Sequence, residues 1–114
     1  MTVADIKRIL GAEVHCGEDM MDHEVRTACG SDMMSDVLAF VKDQSVLLTG
    51  LVNSQVIRTA EMMDMVCVVF VRGKTPPANI ITLAENSNVC VLTTDCDMFH
   101  VCALLSQSGM EAAQ

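Results

Sequence analysis

Three short apolar runs constrain the fold of this chain more than any other feature. They occupy residues 45–48, 66–71 and 89–93, and their centres lie roughly 22 residues apart, the spacing of strand–helix–strand units rather than of hairpins. Each run is apolar at consecutive positions, which is typical of parallel strands that helices cover on both faces. The sequence therefore predicts a three-layer α/β/α sandwich with a mainly parallel sheet.

Segments with a helical apolar period and capping residues precede and follow these runs. Two further short strands are expected at 12–16 and at 24–29, the second of them peripheral. On the second helix, the predicted apolar face carries Met33, Met34, Val37, Leu38 and Val41. The predicted helices are 2–10 with Thr2 as N-cap and Gly11 as its end, 30–41 capped by Ser31, one capped by Asn53, 78–85 with Pro77 in its first turn, and a last one capped by Asp95 and ending at Gly109.

Length and charge limit what kind of protein this can be. The 114 residues suffice for one domain, so we expect a single domain at 1–114 with a frayed tail at 109–114. A formal net charge of −8 with only seven Lys and Arg argues against a nucleic-acid partner. No apolar run approaches the roughly 20 residues that cross a bilayer, and the N-terminus does not resemble a signal peptide. We therefore expect a cytoplasmic protein without a membrane partner.

The polar residues that follow the three central strands are the candidate ligand site. In parallel α/β sheets, ligands bind beyond the carboxyl ends of the strands, where helices begin. Glycines there allow close backbone approach, and cations can hold an anionic group such as a phosphate. The alternative is that these residues only form turns and caps. The candidate ligand-binding residues are Thr49, Gly50 and Asn53 after the first strand, Arg72, Gly73 and Lys74 after the second, and Thr93, Thr94 and Asp95 after the third.

No catalytic or cofactor-binding constellation is recognisable. The string Gly73-Lys74-Thr75 resembles the end of a P-loop, but Val68 stands where the motif needs glycine and prolines follow where it needs a helix. His15 and His23 flank an acidic segment that could hold a divalent metal, but a solvated acidic loop is the favoured interpretation, because these residues show no ligand periodicity. We predict a protein that is not an enzyme and has no cofactor and no metal site.

The six cysteines show none of the spacings typical of zinc or iron–sulfur sites. Cys67, Cys90 and Cys102 fall at apolar positions and are predicted to be buried, reduced thiols. Three others lie near the ends of elements and remain the candidates for redox or metal chemistry, namely Cys16, Cys29 and Cys96.

The last predicted helix is apolar around most of its circumference. Its apolar residues include Met98, Phe99, Val101, Cys102, Leu104 and Leu105. A helix that is apolar on more than one face buries a second face against something else. We therefore expect a homodimer in which a partner subunit covers part of this helix.

The runs GSDMMSDVLAFV, VLLTG, VCVVFVRGKTPP and VCVLTTDCDMFHVCALL, preceded by TVADIKRILGAEVHCGE, resemble the DRTGG domain family over almost the whole chain. The name-giving Asp-Arg-Thr-Gly-Gly string is absent, and Arg72-Gly73-Lys74 stands where the family is typically glycine-rich. The resemblance implies a fold similar to the N-terminal domain of HPr kinase/phosphatase. Members also occur beside CBS domains, and small stand-alone members often accompany genes for iron-only hydrogenases.

The resemblance implies a regulatory or ligand-sensing module, dimeric and without kinase activity. Together with the strand-end residues, it favours a non-catalytic sensor that binds a small anionic metabolite or nucleotide and acts through a partner protein. The cysteines and the genomic habit of similar proteins leave open a redox or iron–sulfur accessory of hydrogenase metabolism. The apolar last helix leaves open a purely structural dimerisation module.

Overall fold

Helices and strands alternate along the computed structural model, which describes residues 1–41 and 44–113. In chain order, the described elements are α1 (Val3–Leu10), β1 (Glu13–Cys16), a 3₁₀ turn (Glu18–Met20), β2 (Thr27–Gly30), α2 (Met34–Phe40), β3 (Ser45–Thr49), α3 (Ser54–Met62), β4 (Cys67–Phe70), α4 (Ala78–Asn86), β5 (Cys90–Thr93), α5 (Met98–Gln107) and β6 (Glu111–Ala112).

The strands form one sheet in the order β1-β5-β4-β3-β2-β6. The four neighbouring pairs from β5 to β6 are parallel, and β1 alone runs antiparallel, against β5. The predicted α/β fold with a mainly parallel sheet is confirmed. One detail differs from the prediction, because β2 lies second from the edge of the sheet rather than at its periphery.

Two hydrophobic layers cover the two faces of the sheet. Successive strand residues alternate between them, so that Leu48 packs with α1 and α5 while Leu47 packs with α2, α3 and α4. Both side chains are buried, and burying one leucine stabilises a fold by roughly 1.5–3 kcal/mol. This two-sided burial explains why the central strands β3, β4 and β5 carry apolar residues at consecutive positions.

The helices α1 and α3 begin where their capping residues predict. The Thr2 hydroxyl accepts from the Asp5 N–H at 3.2 Å, and the Asp5 carboxylate accepts from the Thr2 N–H at 2.9 Å, which completes a capping box. Gly11 ends α1 in a left-handed conformation with φ +58°. The Asn53 side chain accepts from the Val56 N–H at 3.1 Å.

The second helix differs from its prediction at its start and on its surface. The Ser31 hydroxyl accepts from the Met33 N–H at 3.0 Å, so it closes a local turn instead of capping, and α2 begins only at Met34. On the expected apolar face, Met34, Val37 and Val41 are buried, whereas Met33 and Leu38 are exposed. The connection at 42–43 lies outside the described residues.

Two predictions about the end of the chain are wrong. Asp97, not Asp95, caps α5, because its carboxylate accepts from the His100 N–H at 2.8 Å. The segment expected to fray contains β6, which pairs with Thr27 and Ala28 of β2. Its last residue, 114, lies outside the described residues. The apolar pattern did not indicate β6, because a two-residue strand has no detectable period.

Candidate functional site

The loops that follow β2, β3, β4 and β5 meet along one edge of the sheet, because these strands are parallel. We call this edge the strand-end rim and define it as residues 31–33, 49–53, 71–77 and 93–97. Its loops are linked by their backbones, since the Arg72 N–H donates to the Cys96 oxygen and the Gly73 N–H to the Thr94 oxygen, both at 2.8 Å. The loops after β4 and β5 therefore form one surface.

A hydrogen-bonded cluster joins the loops after β2, β3 and β4. The Asp32 carboxylate accepts from the Thr49 hydroxyl at 2.9 Å and from the Gly50 N–H at 2.8 Å. The Lys74 ammonium donates to the Gly50 carbonyl at 2.5 Å. Three of the predicted residues thus lie close together, and they are joined by Asp32, which the prediction did not include.

The surroundings of Asp32 favour its charged form. The Gly50 N–H contributes most, followed by the Thr49 hydroxyl, and together with the nearby Lys74 charge they lower the pKa of the Asp32 carboxyl below its ordinary value. Partial burial opposes this effect but is smaller. The rim therefore contains a carboxylate that remains ionised at neutral pH and is held by donors of its own chain.

Arg72 and Gly73 form the most unusual backbone of the rim. Both adopt left-handed conformations, with φ of +67° and +66°, which for Arg72 is uncommon because its side chain crowds the backbone there. A Cβ at Gly73 would lie 3.0 Å from an oxygen of Asp95. Within residues 1–41 and 44–113, the Arg72 guanidinium has no hydrogen-bond or ion-pair partner. It is exposed and could contact a ligand.

The remaining predicted residues have partners elsewhere. Asn53 caps α3. The Thr93 hydroxyl lies 2.9 Å from Nε2 of His15, and the buried Thr94 hydroxyl donates to the Leu10 oxygen at 3.0 Å. Asp95 is exposed beside Gly73. The cluster around Gly50 therefore includes three of the nine predicted residues, and a role for any of the nine in binding stays a prediction.

Asp32 could have been found from the sequence by the same strand-end rule. It lies two residues beyond Gly30, the end of β2. The sequence predicts a helix over 30–41 capped by Ser31, which places Asp32 in its first turn. With 27–30 as an inner parallel strand, the strand-end rule includes Asp32.

Two cavities flank the β2–β6 edge, one on each face of the sheet. One of about 330 Å³ is bounded by Cys29, Phe40 and Ala113 among others. The other, of about 280 Å³, is bounded by Leu48, Cys102 and Met110 among others. The first also includes Ser31 and so reaches the rim. The cations Arg72 and Lys74 line neither cavity.

The cysteines are thiols in the described part of the chain. Cys67 and Cys90 lie opposite each other on the neighbouring strands β4 and β5. A hydrogen bond with Cys90, and then burial, raises the pKa of the Cys67 thiol. Burial raises the pKa of Cys16 to about 11. Cys102 is exposed, which corrects its predicted burial.

Among residues 1–41 and 44–113, no group of three His, Cys, Asp or Glu lies close enough to hold a metal ion. The redox or iron–sulfur alternative stays a prediction.

Among the residues that the structure describes, no helix combines the length and the apolar character needed to cross a bilayer.

The sheet, its two helical layers and the polar rim define a three-layer α/β domain with a mainly parallel sheet. A sequence model of the DRTGG domain matches residues 5–108. The chain belongs to this family, and the predicted resemblance is confirmed.

A solved structure shares this fold. It is the crystal structure of the CBS and DRTGG domains of the regulatory region of Clostridium perfringens pyrophosphatase, complexed with its activator diadenosine tetraphosphate. The TM-score is 0.73 and the identity 21%, over 94% of this chain and 46% of that one. This chain therefore spans about half the length of that structure. Comparison with curated proteins gave no match.

Proposed function

We propose that this DRTGG domain is a non-catalytic regulatory module, which binds a small anionic metabolite or nucleotide at the strand-end rim and acts through a partner protein. The family supports a regulatory role, because the similar structure belongs to the regulatory region of an enzyme. We also propose that residues 1–114 act as one domain in the cytoplasm.

The observation that carries the proposal is the state of Arg72. Its backbone is held in a left-handed conformation, and its exposed guanidinium has no partner in the described part of the chain. Sparsely populated backbone conformations cluster at binding sites, where the surrounding structure enforces them. A guanidinium matches the geometry of phosphate oxygens. Lys74 adds a second positive charge two residues further on.

Nucleotides are the first ligand class to test. The similar structure holds diadenosine tetraphosphate, a dinucleotide, in a region that contains both CBS and DRTGG domains. The rim of this chain also carries the carboxylates of Asp32 and Asp95, which repel anions. We therefore expect moderate affinity, and selectivity for ligands that place one phosphate group close to Arg72.

A thermal-shift screen of mono- and dinucleotides, with diadenosine tetraphosphate and inorganic phosphate included, tests the proposal. A ligand that binds the native state alone stabilises it by roughly 2.7 kcal/mol at 100 times its Kd. The double variant R72A/K74A should bind a hit at least about tenfold more weakly, since a hydrogen bond to a charged group contributes about 1.5–3 kcal/mol. K7A, which removes an exposed lysine of α1, is the matched control.

Unchanged affinity in R72A/K74A would exclude these two residues from the site. Product analysis after incubation with the same nucleotides tests the non-catalytic part of the proposal. We expect no turnover, and conversion of any nucleotide that depends on Arg72 would contradict it.

A purely structural dimerisation module is the second candidate, and one observation favours it. Phe99 on α5 is 85% exposed, and the exposed Cys102 follows it by three residues, on the same side of the helix. An exposed aromatic side chain beside other apolar groups is typical of protein interfaces. We propose that α5 contacts a second copy of the chain, a role that is compatible with ligand sensing.

A further inference from the structure

Asp32 covers two hydrogen-bond donors that would otherwise be available to a ligand. The Thr49 side chain and Gly50 are buried, whereas Asp32 itself is exposed. The Thr49 hydroxyl and the Gly50 N–H both donate to the same oxygen of Asp32, at 2.9 and 2.8 Å. A carboxylate from the surface thus caps donors that lie beneath it.

The two donors have the arrangement that suits a phosphate. They belong to the end of β3 and the first residue after it, at the edge where parallel sheets bind ligands. A backbone N–H and a hydroxyl that converge on one oxygen form charge-assisted hydrogen bonds with an anion. Lys74, which donates to the Gly50 carbonyl, adds positive charge close to the Asp32 carboxylate.

We propose that the Asp32 carboxylate occupies the position of the ligand's anionic group when no ligand is bound, and that it competes with the ligand for the same two donors. An incoming phosphate accepts the hydrogen bonds of the Thr49 hydroxyl and the Gly50 N–H, and the Asp32 side chain moves out into solvent. This inference rests on the proposed function, because it assumes an anionic ligand at the strand-end rim. It names the position of the anionic group within that rim, which the proposal above leaves open.

The exchange links ligand binding to α2. Asp32 lies two residues before Met34, where α2 starts, and the start of α2 has no side-chain cap of its own. The bonds from Asp32 to Thr49 and Gly50 join this start to β3. When the carboxylate leaves, residues 31–36 lose that attachment. Binding at β3 therefore changes the loop and the helix that follow β2, and this is a route to a partner.

The test compares phosphate binding by D32A, D32N and D95N. D32A uncovers both donors, whereas D32N keeps an oxygen in place but removes the negative charge. If D32A fails to fold, D32N alone is compared with D95N. D95N removes one negative charge from the same rim without touching Thr49 or Gly50, and so measures the general effect of charge. Amide NMR signals of Gly50 and of residues 31–36 report the position of binding during titration with inorganic phosphate.

We expect D32A to bind inorganic phosphate on the order of tenfold more tightly than the wild type, with D32N between D32A and D95N. In the wild type, phosphate should shift the signals of Gly50 and of residues 31–36 together. In D32A, the signals of 31–36 should no longer respond, because that loop is already released.

The outcomes separate this inference from the proposed function. If D32A and D32N bind no better than D95N while the wild type binds at Arg72, the inference is overturned and the function stands. If only the Asp32 variants bind phosphate, the carboxylate blocks the two donors permanently, and the proposed exchange in the wild type is overturned. If no variant binds phosphate, the inference is overturned as well, while the nucleotide screen above decides the proposed function separately.

Discussion

Gly17 occupies a position that excludes every side chain. Its φ of +88° lies in the left-handed region, and a Cβ would lie 2.8 Å from both Cα and Cβ of Cys90. Cys90 is fully buried in β5, so it has no room to retreat. The chain can turn from β1 into the 3₁₀ segment at this point only because residue 17 is a glycine.

The substitution G17A should destabilise the protein by about 2–5 kcal/mol. Roughly 1–2 kcal/mol comes from an L-residue with positive φ, and about 1–3 kcal/mol from overpacking against β5. G11A is the matched control, since Gly11 has a φ of +58° but nothing within 4 Å of the added Cβ. It should lose only the backbone contribution. Urea unfolding measures both, and equal losses would show that contact with Cys90 is harmless.

The ionised Asp32 carboxylate should stabilise the fold in a way that depends on pH. Its pKa in the folded state is lower than its ordinary value of 3.8, so the unfolded chain binds the proton more readily. The stabilisation is therefore present above about pH 4, decreases as the pH falls through 3.8, and is lost below the folded pKa. Asp5 adds to the same decline, because the Thr2 N–H, first among several contacts, lowers its pKa.

Unfolding free energies of the wild type and of D32N between pH 6 and pH 2.5 test this dependence. D32N should lose stability less steeply as the pH falls below about 4. D36N, which removes an exposed carboxylate of α2, is the control and should follow the wild-type curve. Parallel curves for D32N and the wild type would mean that the bonds to Gly50 and Thr49 do not favour the charged form.

At the scale of elements, the start of α5 offers a direct test of which acid caps the helix. D97A should cost about 1 kcal/mol, because the His100 N–H loses its acceptor. D95A removes an acid two residues earlier, outside the cap, and should stay within about 0.5 kcal/mol of the wild type. Both values come from chemical denaturation. A larger loss in D95A than in D97A would reverse the assignment.

Local signals explain which elements could be predicted from the sequence. Thr2, Gly11 and Asn53 specify the ends of α1 and α3 through bonds within a few residues. The start of α2 could not be predicted, because Ser31 has the chemistry of a cap and uses it in a turn. The short strand β6 depends on pairing with β2, more than 80 residues away in the chain, and no local pattern encodes it.

At the scale of the whole molecule, the spacing of the apolar runs predicts parallel strands but not their order. The position of β2 between β3 and β6 is set by its pairing with both strands, and the spacing of the runs does not encode that pairing. The strand order also decides which residues belong to the candidate site. Asp32 approaches Gly50 only because β2 and β3 are neighbours, so the spacing alone does not predict it. Arg72, Gly73 and Lys74 were predictable because one loop carries all three.

The oligomeric state tests the role of α5. We expect a dimer at micromolar concentration by light scattering, and a monomer for F99E, because a charge at an apolar contact is costly to bury. M62E is the matched control, since Met62 on α3 is 70% exposed and α3 covers the other face of the sheet. A monomeric wild type, or equal dissociation of both variants, would contradict an interface on α5.

The two-residue strand β6 also bears on whether further chains can add to this side of the sheet. An uncovered strand edge is a template on which further chains can add, and short or charged edge strands block such growth. β6 is short, carries the exposed Glu111, and pairs with β2 only at Thr27 and Ala28. Loss of this small element would barely change the core, yet it would turn the β2 edge into a nucleus for aggregation.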